Sequence, residues 1–176
     1  MPYYEIDPEL AEEYGVTAND ASGYDAVEAT IDFARTRDEV RIVRDALVAK
    51  GFTSVRVRYD GGSDEGFSYF EFASVKGVRF TLDELTELFK IELGSESLAM
   101  PGANENWPER YRIQMEQQWR DLTPAQRVER WFDEFTLELA NSILGEGYGT
   151  GEMSMRGQFR ADLESGRLID LEDGEE

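Results

Sequence analysis

Apolar residues recur along this 176-residue chain at two periods, and the switches between them mark out its elements. Val40, Val43, Ala46 and Leu47 fall on one side of a 3.6-residue spiral and predict an amphipathic helix. Thr36 and Glu39 stand at capping-box spacing at its start, and Lys50-Gly51 puts a cation and a turn-permissive residue at its end. An earlier pair at the same spacing, Asp25 and Glu28, predicts another helix upstream. From Val55 the period drops to two. Val55, Val57 and Tyr59 alternate with Arg56 and Arg58, the pattern of a strand with one buried face. An aromatic run from Phe67 to Ala73 predicts its hairpin partner across the loop Asp60 to Gly66, and Val78 to Phe80 a further short strand.

The helical period then returns. Thr81 with Glu84 caps a helix bearing Leu82, Leu85, Leu88 and Phe89, which Gly94 stops. After a loop from Gly94 to Asn106, Asn106 with Glu109 caps a helix bearing Tyr111, Met115 and Trp119. Thr123-Pro124-Ala125-Gln126 opens the longest helix, with Val128, Trp131, Phe132, Phe135, Leu139 and Ile143 at core spacing. The end of the chain alternates again: Met153, Met155, Phe159, Ala161 and Leu163 against Ser154, Arg156, Gln158, Arg160 and Asp162. A return strand follows from Arg167. A two-residue turn at Ser165-Gly166 would set Asp170 and Glu172 opposite Ala161 and Phe159, with carboxylates on the apolar face. A three-residue loop, Glu164-Ser165-Gly166, instead places Ile169 opposite Ala161 and Leu171 opposite Phe159, and is the register expected.

These elements predict an α+β domain over 25–176, an antiparallel sheet of about four strands in two hairpins with helices packed on one face. Residues 1–24, punctuated by Pro2, Pro8, Gly15 and Gly23, read as an acidic flexible arm. No run approaches the apolar length of a membrane span. The first sixteen residues carry Glu5, Asp7, Glu9, Glu12 and Glu13 where a signal peptide carries positive charge. A cytoplasmic protein with no membrane association is expected.

Charge changes the picture most. Thirty-eight Asp and Glu against eighteen Lys and Arg leave a net charge of −20, with no histidine and no cysteine. The common neutral-pH proton shuttle, the thiol nucleophile and the usual zinc ligands are all missing. The acids concentrate in residues 1–35 (net −8) and 133–176 (net −9), while residues 36–58 are net +3. Such a field repels nucleic acid and attracts basic proteins. Arg37, Arg41 and Arg44 lie four and three residues apart on one helix face, able to meet an acidic patch on a second copy or on the chain's own arm, although an exposed face mixed with Asp38 and Asp45 accounts for the same residues and is the reading favoured.

One loop looks like a site. Asp60, Ser63, Asp64 and Glu65 offer hard oxygen ligands among three glycines, so Asp60, Asp64 and Glu65 are the candidate ligands for calcium or magnesium. The spacing is not that of an EF-hand, and an ordinary solvated hairpin loop accounts for the same residues. Paired carboxylates serve glycoside hydrolysis, with Trp107, Tyr111, Trp119, Trp131 and Tyr148 as an aromatic platform, although Trp119 and Trp131 sit at core positions. A serine nucleophile would need one of Lys50, Lys76 or Lys90 as base, and none lies in a motif. No catalytic residue is assigned.

Ile42 to Gly66 resembles part of a bacterial and phage-associated domain family of unknown function. Its members carry a Tyr/Phe-Asp-Gly-x-Gly-Asp-Ser-Gly loop, here Tyr59, Asp60, Gly61, Asp64 and Gly66, with Ser63 and Glu65 departing from it. Gly147-Tyr148-Gly149 and the Gly157-Gln158-Phe159 strand stand where that family has a Gly-Trp-Glu-rich segment and a Gly-x-Phe hairpin; its histidine is absent here. The resemblance implies a shared fold with the two loops close together, and no activity. Asp60, Ser63, Asp64, Glu65, Tyr148 and Glu152 are therefore the candidate binding residues.

The function expected is a non-catalytic acidic domain that binds a basic protein, such as a nucleic-acid-binding enzyme, by mimicking nucleic-acid charge. An antidefence or immunity-type inhibitor of a phage or mobile element is the concrete instance. The alternatives are a metal-assisted or carboxylate-based hydrolase centred on the 60–66 loop, and a structural subunit, homo-oligomeric or mixed, of a larger assembly.

Overall fold

The computed structural model describes residues 28–62, 65–145 and 155–171. In chain order these form β1 (Glu28–Thr30), one 3-10 turn (Phe33–Arg35), α1 (Asp38–Ala49), β2 (Ser54–Gly62), β3 (Glu65–Val75) and β4 (Val78–Phe80). There follow α2 (Leu82–Phe89), α3 (Glu109–Asp121), α4 (Pro124–Leu144), β5 (Met155–Asp162) and β6 (Arg167–Leu171). The strands make one six-stranded sheet, ordered β1-β6-β5-β2-β3-β4, with every neighbouring pair antiparallel. The class is α+β as the pattern predicts, but the sheet has six strands and not about four, because the two hairpins join through β2 and β5 and β1 and β4 add one edge strand each.

The period-two residues behave as expected. Val55, Val57 and Tyr59 on β2 are buried, facing the same side as Phe70 and Ala73 on β3, Phe159 and Ala161 on β5 and Leu168 on β6. Against that face lies α4, whose Val128, Trp131, Phe132, Phe135, Leu139 and Ile143 are all buried. Phe132 is the hub: its ring meets those of Phe70, Phe89 and Phe135 with centroids 5.0, 6.2 and 6.5 Å away. Truncating a buried phenylalanine of this kind costs roughly 3–5 kcal/mol. The opposite face of the sheet is polar. Arg56 lies over Phe72, Arg58 over Tyr69, and an extra β3 residue at the bulge beside Arg56 and Val57 sets Glu71 against Arg58 at 2.9 Å. Arg56, expected in water, is 9% exposed because Phe72 covers it.

Two capping boxes form, the first of them as predicted. The Thr81 and Glu84 pair opens α2, and the Thr123 and Gln126 pair, with Pro124 at the first helical position, opens α4. Two others do not. Thr36 Oγ donates to the Phe33 carbonyl, so α1 starts one residue late with Arg37 at its cap, and Glu39 is drawn to Arg37 and the Gly102 N–H. Pro108 takes the cap of α3, while Asn104 rather than Asn106 organises the approach by accepting the Asn106 N–H. Of the apolar face expected on α3 only Trp119 is buried; Tyr111 is 44% exposed. The helix expected from Asp25 is overturned where the chain is described. Glu28–Thr30 is a strand, because Ala29 and Ile31 turn inward together and the backbone pairs with β6. Residues 25–27 lie outside the described residues, as does the arm.

The register of the last hairpin also differs from expectation. Its connection runs from Leu163 to Gly166, one residue longer than expected, so Ala161 pairs with Leu168 and Phe159 with Asp170. Asp162 stabilises this wider loop, its carboxylate accepting from the Glu164 and Ser165 N–H groups and the Ser165 hydroxyl at 3.1, 2.7 and 2.8 Å. Those bonds hold the Asp162 carboxyl below the ordinary range. Gly166 closes the loop at φ +76°, where a Cβ would lie 2.0 Å from the Ile31 carbonyl oxygen. Leu163, the first residue of the longer loop, is fully buried in the core.

A consequence is that Asp170 sits on the apolar face of the sheet. The Tyr59 hydroxyl donates to its two oxygens at 3.2 and 3.4 Å. Tyr59 reaches it by crossing Gly157, its cross-strand partner, where a Cβ would come 2.4 Å from the hydroxyl. Burial pushes the Asp170 carboxyl above its usual range, against the opposing pull of that hydrogen bond. A raised acid pKa favours the fold while the group is protonated, and that contribution is lost as pH rises through the folded-state value. Asp170→Asn keeps an acceptor for Tyr59 and removes the buried charge. Thermal unfolding between about pH 4 and pH 8 should show the variant stabilised by on the order of 1 kcal/mol at neutral pH, with the difference vanishing in acid. A variant less stable than wild type at neutral pH would show that the charge itself is needed.

Candidate functional site

The sequence-predicted site is a hairpin tip. β2 continues to Gly62 and β3 begins at Glu65, so Asp60, Gly61, Gly62, Glu65 and Gly66 belong to the ladder and not to a seven-residue loop. The cause is register: Asp60 pairs with Phe67 and with Arg156, and backbone pairing on both sides extends the strand through the glycines. Asp60 and Glu65 lie on the polar face of the sheet. Asp60 is 3.8 Å from the Arg58 guanidinium, which any cation bound there would have to displace. Ser63, Asp64, Tyr148 and Glu152 lie outside the described residues. Among the described residues no three acidic side chains gather in a way that could hold a metal. Tyr59 pairs with Gly157 in the ladder between β2 and β5.

The arginines of α1 are engaged within the chain. Arg37 reaches Glu134 and Glu138 on α4 at 3.3 and 3.4 Å, Arg41 pairs with Asp38, and Arg44 donates to the Leu163 carbonyl and to Asp45. Arg160 and Arg167 border a shallow hollow of about 310 Å³ on the polar face of the sheet, which Asp162 shares, and Arg167 is held by Glu28 at 2.8 Å.

A larger concavity lies elsewhere. A groove of about 760 Å³ lies between the N-terminal end of α1, the loop 94–108, α3 and α4. Three side chains hold the loop to the helices by its backbone. Arg127 of α4, 6% exposed, donates to the Gly94 carbonyl at 2.9 Å and the Leu122 carbonyl at 3.0 Å. The Trp119 indole N–H of α3 donates to the Leu98 carbonyl at 3.1 Å, and Glu39 of α1 accepts from the Gly102 N–H at 3.2 Å. All three tryptophans of the chain line the groove. Trp119 and Trp131 meet edge to face at 6.4 Å, and Trp107 packs likewise on Tyr111 at 5.0 Å. Trp131 is 2% exposed and its indole N–H has no acceptor among the described residues.

The groove is lined by five carboxylates, Asp38, Glu39, Glu96, Glu105 and Glu116, and by two arginines, Arg112 and Arg120. The acids come mainly from α1 and the loop, and both arginines from α3. Sequence reasoning named the tryptophans as an aromatic platform and assigned Trp119 and Trp131 to the core, where they are. It missed Glu96, Glu105 and Arg127. The available signal was a polar loop carrying Trp107 ahead of two helices that each bring a tryptophan, but which carboxylates face it depends on how the loop folds back. Two of the rings are too deeply packed to serve as flat sugar-stacking platforms; only Trp107 is partly open.

Arg127→Ala removes a buried cation that bonds two main-chain carbonyls. It should destabilise the protein by about 2–4 kcal/mol in denaturant unfolding and raise amide exchange in residues 94–108 before the sheet opens. Uniform loss of protection would show that the arginine supports the core at large and not the groove wall.

No protein-family model, no curated protein and no solved structure matches this chain.

Proposed function

We propose that this chain is a non-catalytic, acidic binding domain for a basic protein, of the kind that presents to a nucleic-acid-binding enzyme the charge its substrate would carry. The observation that carries the reading is how the charge is partitioned. The described residues hold all eighteen bases and twenty-four acids, net −6; the remaining segments hold fourteen acids and no base, −14, which together make −20. The bases are largely consumed inside the fold, as Arg37, Arg44, Arg58 and Arg127 illustrate. Carboxylates at the groove are not: Glu96, Glu105 and Glu116 have no ion-pair partner among the described residues. An excess of unpaired negative charge beside exposed aromatic surface suits a cationic protein, which it draws in by long-range attraction. No helix among the described residues is long and apolar enough to cross a bilayer.

The test is affinity capture on purified basic nucleic-acid-binding proteins with duplex DNA as competitor. Binding should weaken at least tenfold between roughly 50 and 200 mM salt, and DNA should compete for the same partner surface. Binding that ignores salt, or that is equally strong to neutral proteins, would overturn the reading.

A further inference from the structure

One edge of the sheet is left open. β3 is eleven residues long, yet its outer neighbour β4 pairs only with Ala73, Ser74 and Val75. Along the remaining eight, Glu65–Phe72, the alternate N–H and C=O groups that turn away from β2 meet no main-chain partner among the described residues. None of these residues is buried. Sheet edges are ordinarily blunted by brevity, lysine, proline or a bulge, and the outermost strands β1 and β4 are three residues each. The open stretch of β3 contains no lysine, arginine or proline, and its bulge comes only near its far end, opposite Arg56 and Val57.

Resting on the binding reading above, we propose that this edge takes a lysine- or arginine-bearing extended segment of the basic partner as a seventh strand of the sheet. The side chains beside the edge suit such a strand. Phe67 and Tyr69 are 47% and 40% exposed and, by register with Asp60 and Arg58, stand on the polar face. Glu65 shares that face and has no ion-pair partner among the described residues. An added strand sets its own side chains beside every second residue, here one carboxylate and two rings in a row. Long cationic side chains answer both, the charge meeting Glu65 while the apolar stem lies on a ring.

Charge also decides between occupants. The stretch 59–100 that holds the edge carries nine acids and three bases. A second copy would bring the same glutamates and a further −20. The segments of this chain outside the described residues contain no lysine or arginine, so none of them supplies the complementary charge. A cationic strand from another protein supplies it.

Full-length protein is titrated with a fluorescently labelled octapeptide of alternating lysine and threonine, with its glutamate-for-lysine counterpart, and with the lysine peptide N-methylated at every residue. Only the first should bind, and it should slow amide exchange in residues 65–72; the N-methylated peptide keeps the charge and loses the ladder. Phe67→Lys/Tyr69→Lys, at two exposed edge positions, should weaken binding at least about tenfold. Glu96→Gln/Glu105→Gln changes the net charge by the same amount in the groove and should leave affinity within about twofold. If Phe67→Lys/Tyr69→Lys loses its fold by circular dichroism, the N-methylated peptide decides. Equal binding of the N-methylated peptide, or binding without protection of β3, would overturn the edge assignment while the general reading stands. Protection of β3 that rises with protein concentration in the absence of peptide would make a second copy the occupant and overturn it too. Basic proteins that fail to bind while the peptide protects β3 would remove the general reading alone, and failure of both would remove both.

Discussion

The burial of the α4 aromatic stripe against the sheet is the interaction on which the rest of the molecule depends. Phe132 and Phe135 are fully buried, and Phe132 alone brings together a strand through Phe70 and a second helix through Phe89. Once that helix is seated, its other sides are spoken for. Glu134 and Glu138 receive Arg37 from α1, Arg127 turns toward the loop before α3, and Trp131 meets Trp119. A 21-residue helix thereby couples the sheet, three neighbouring helices and the groove. Dense packing of this sort has little room for gradual adjustment, so the groove inherits the rigidity of the core on one side.

Its other wall is a loop, and loops need their main-chain groups answered. The loop 94–108 is answered from three helices by side chains of different character: a guanidinium, an indole and a carboxylate. None of these is an ion pair, so the loop's attachment is less sensitive to salt than its rim. That division suits a surface on which electrostatic recognition is separated from structural support. Glu96, Glu105 and Glu116 on that rim have no ion-pair partner among the described residues.

Much of the fold was legible because local chemistry and tertiary demand agreed. The Thr81 and Thr123 capping boxes formed where their helices already had a buried stripe to enforce the start. The Thr36 and Asn106 pairs had the same spacing and failed, since Thr36 found the Phe33 carbonyl and Asn106 gave its N–H to Asn104. A cap is worth about 1 kcal/mol, so a competing local bond of similar strength displaces it. Glu28 to Thr30 shows the same limit from another side: three residues carry too little pattern to distinguish a helix start from an edge strand, and pairing with β6 decided it. The candidate site was partly legible, since the tryptophans that line the groove stood out in the chain, while Asp60 and Glu65 proved to be strand residues of a tight hairpin.

By itself the sequence determined the class of the protein, the positions of its long helices and central hairpin, and the charge that constrains its partners. Those depend on periodicity and composition, which act within one or two turns of chain or over the whole surface. The tertiary structure alone decided the width of the sheet, the register that carried Asp170 onto the apolar face, and the gathering of Trp107, Trp119 and Trp131 with Glu96 and Glu105 around one groove. Each of these requires residues far apart in sequence to find a common place. A one-residue change in loop length inverts which side chains share a face, and no local preference is strong enough to forbid it.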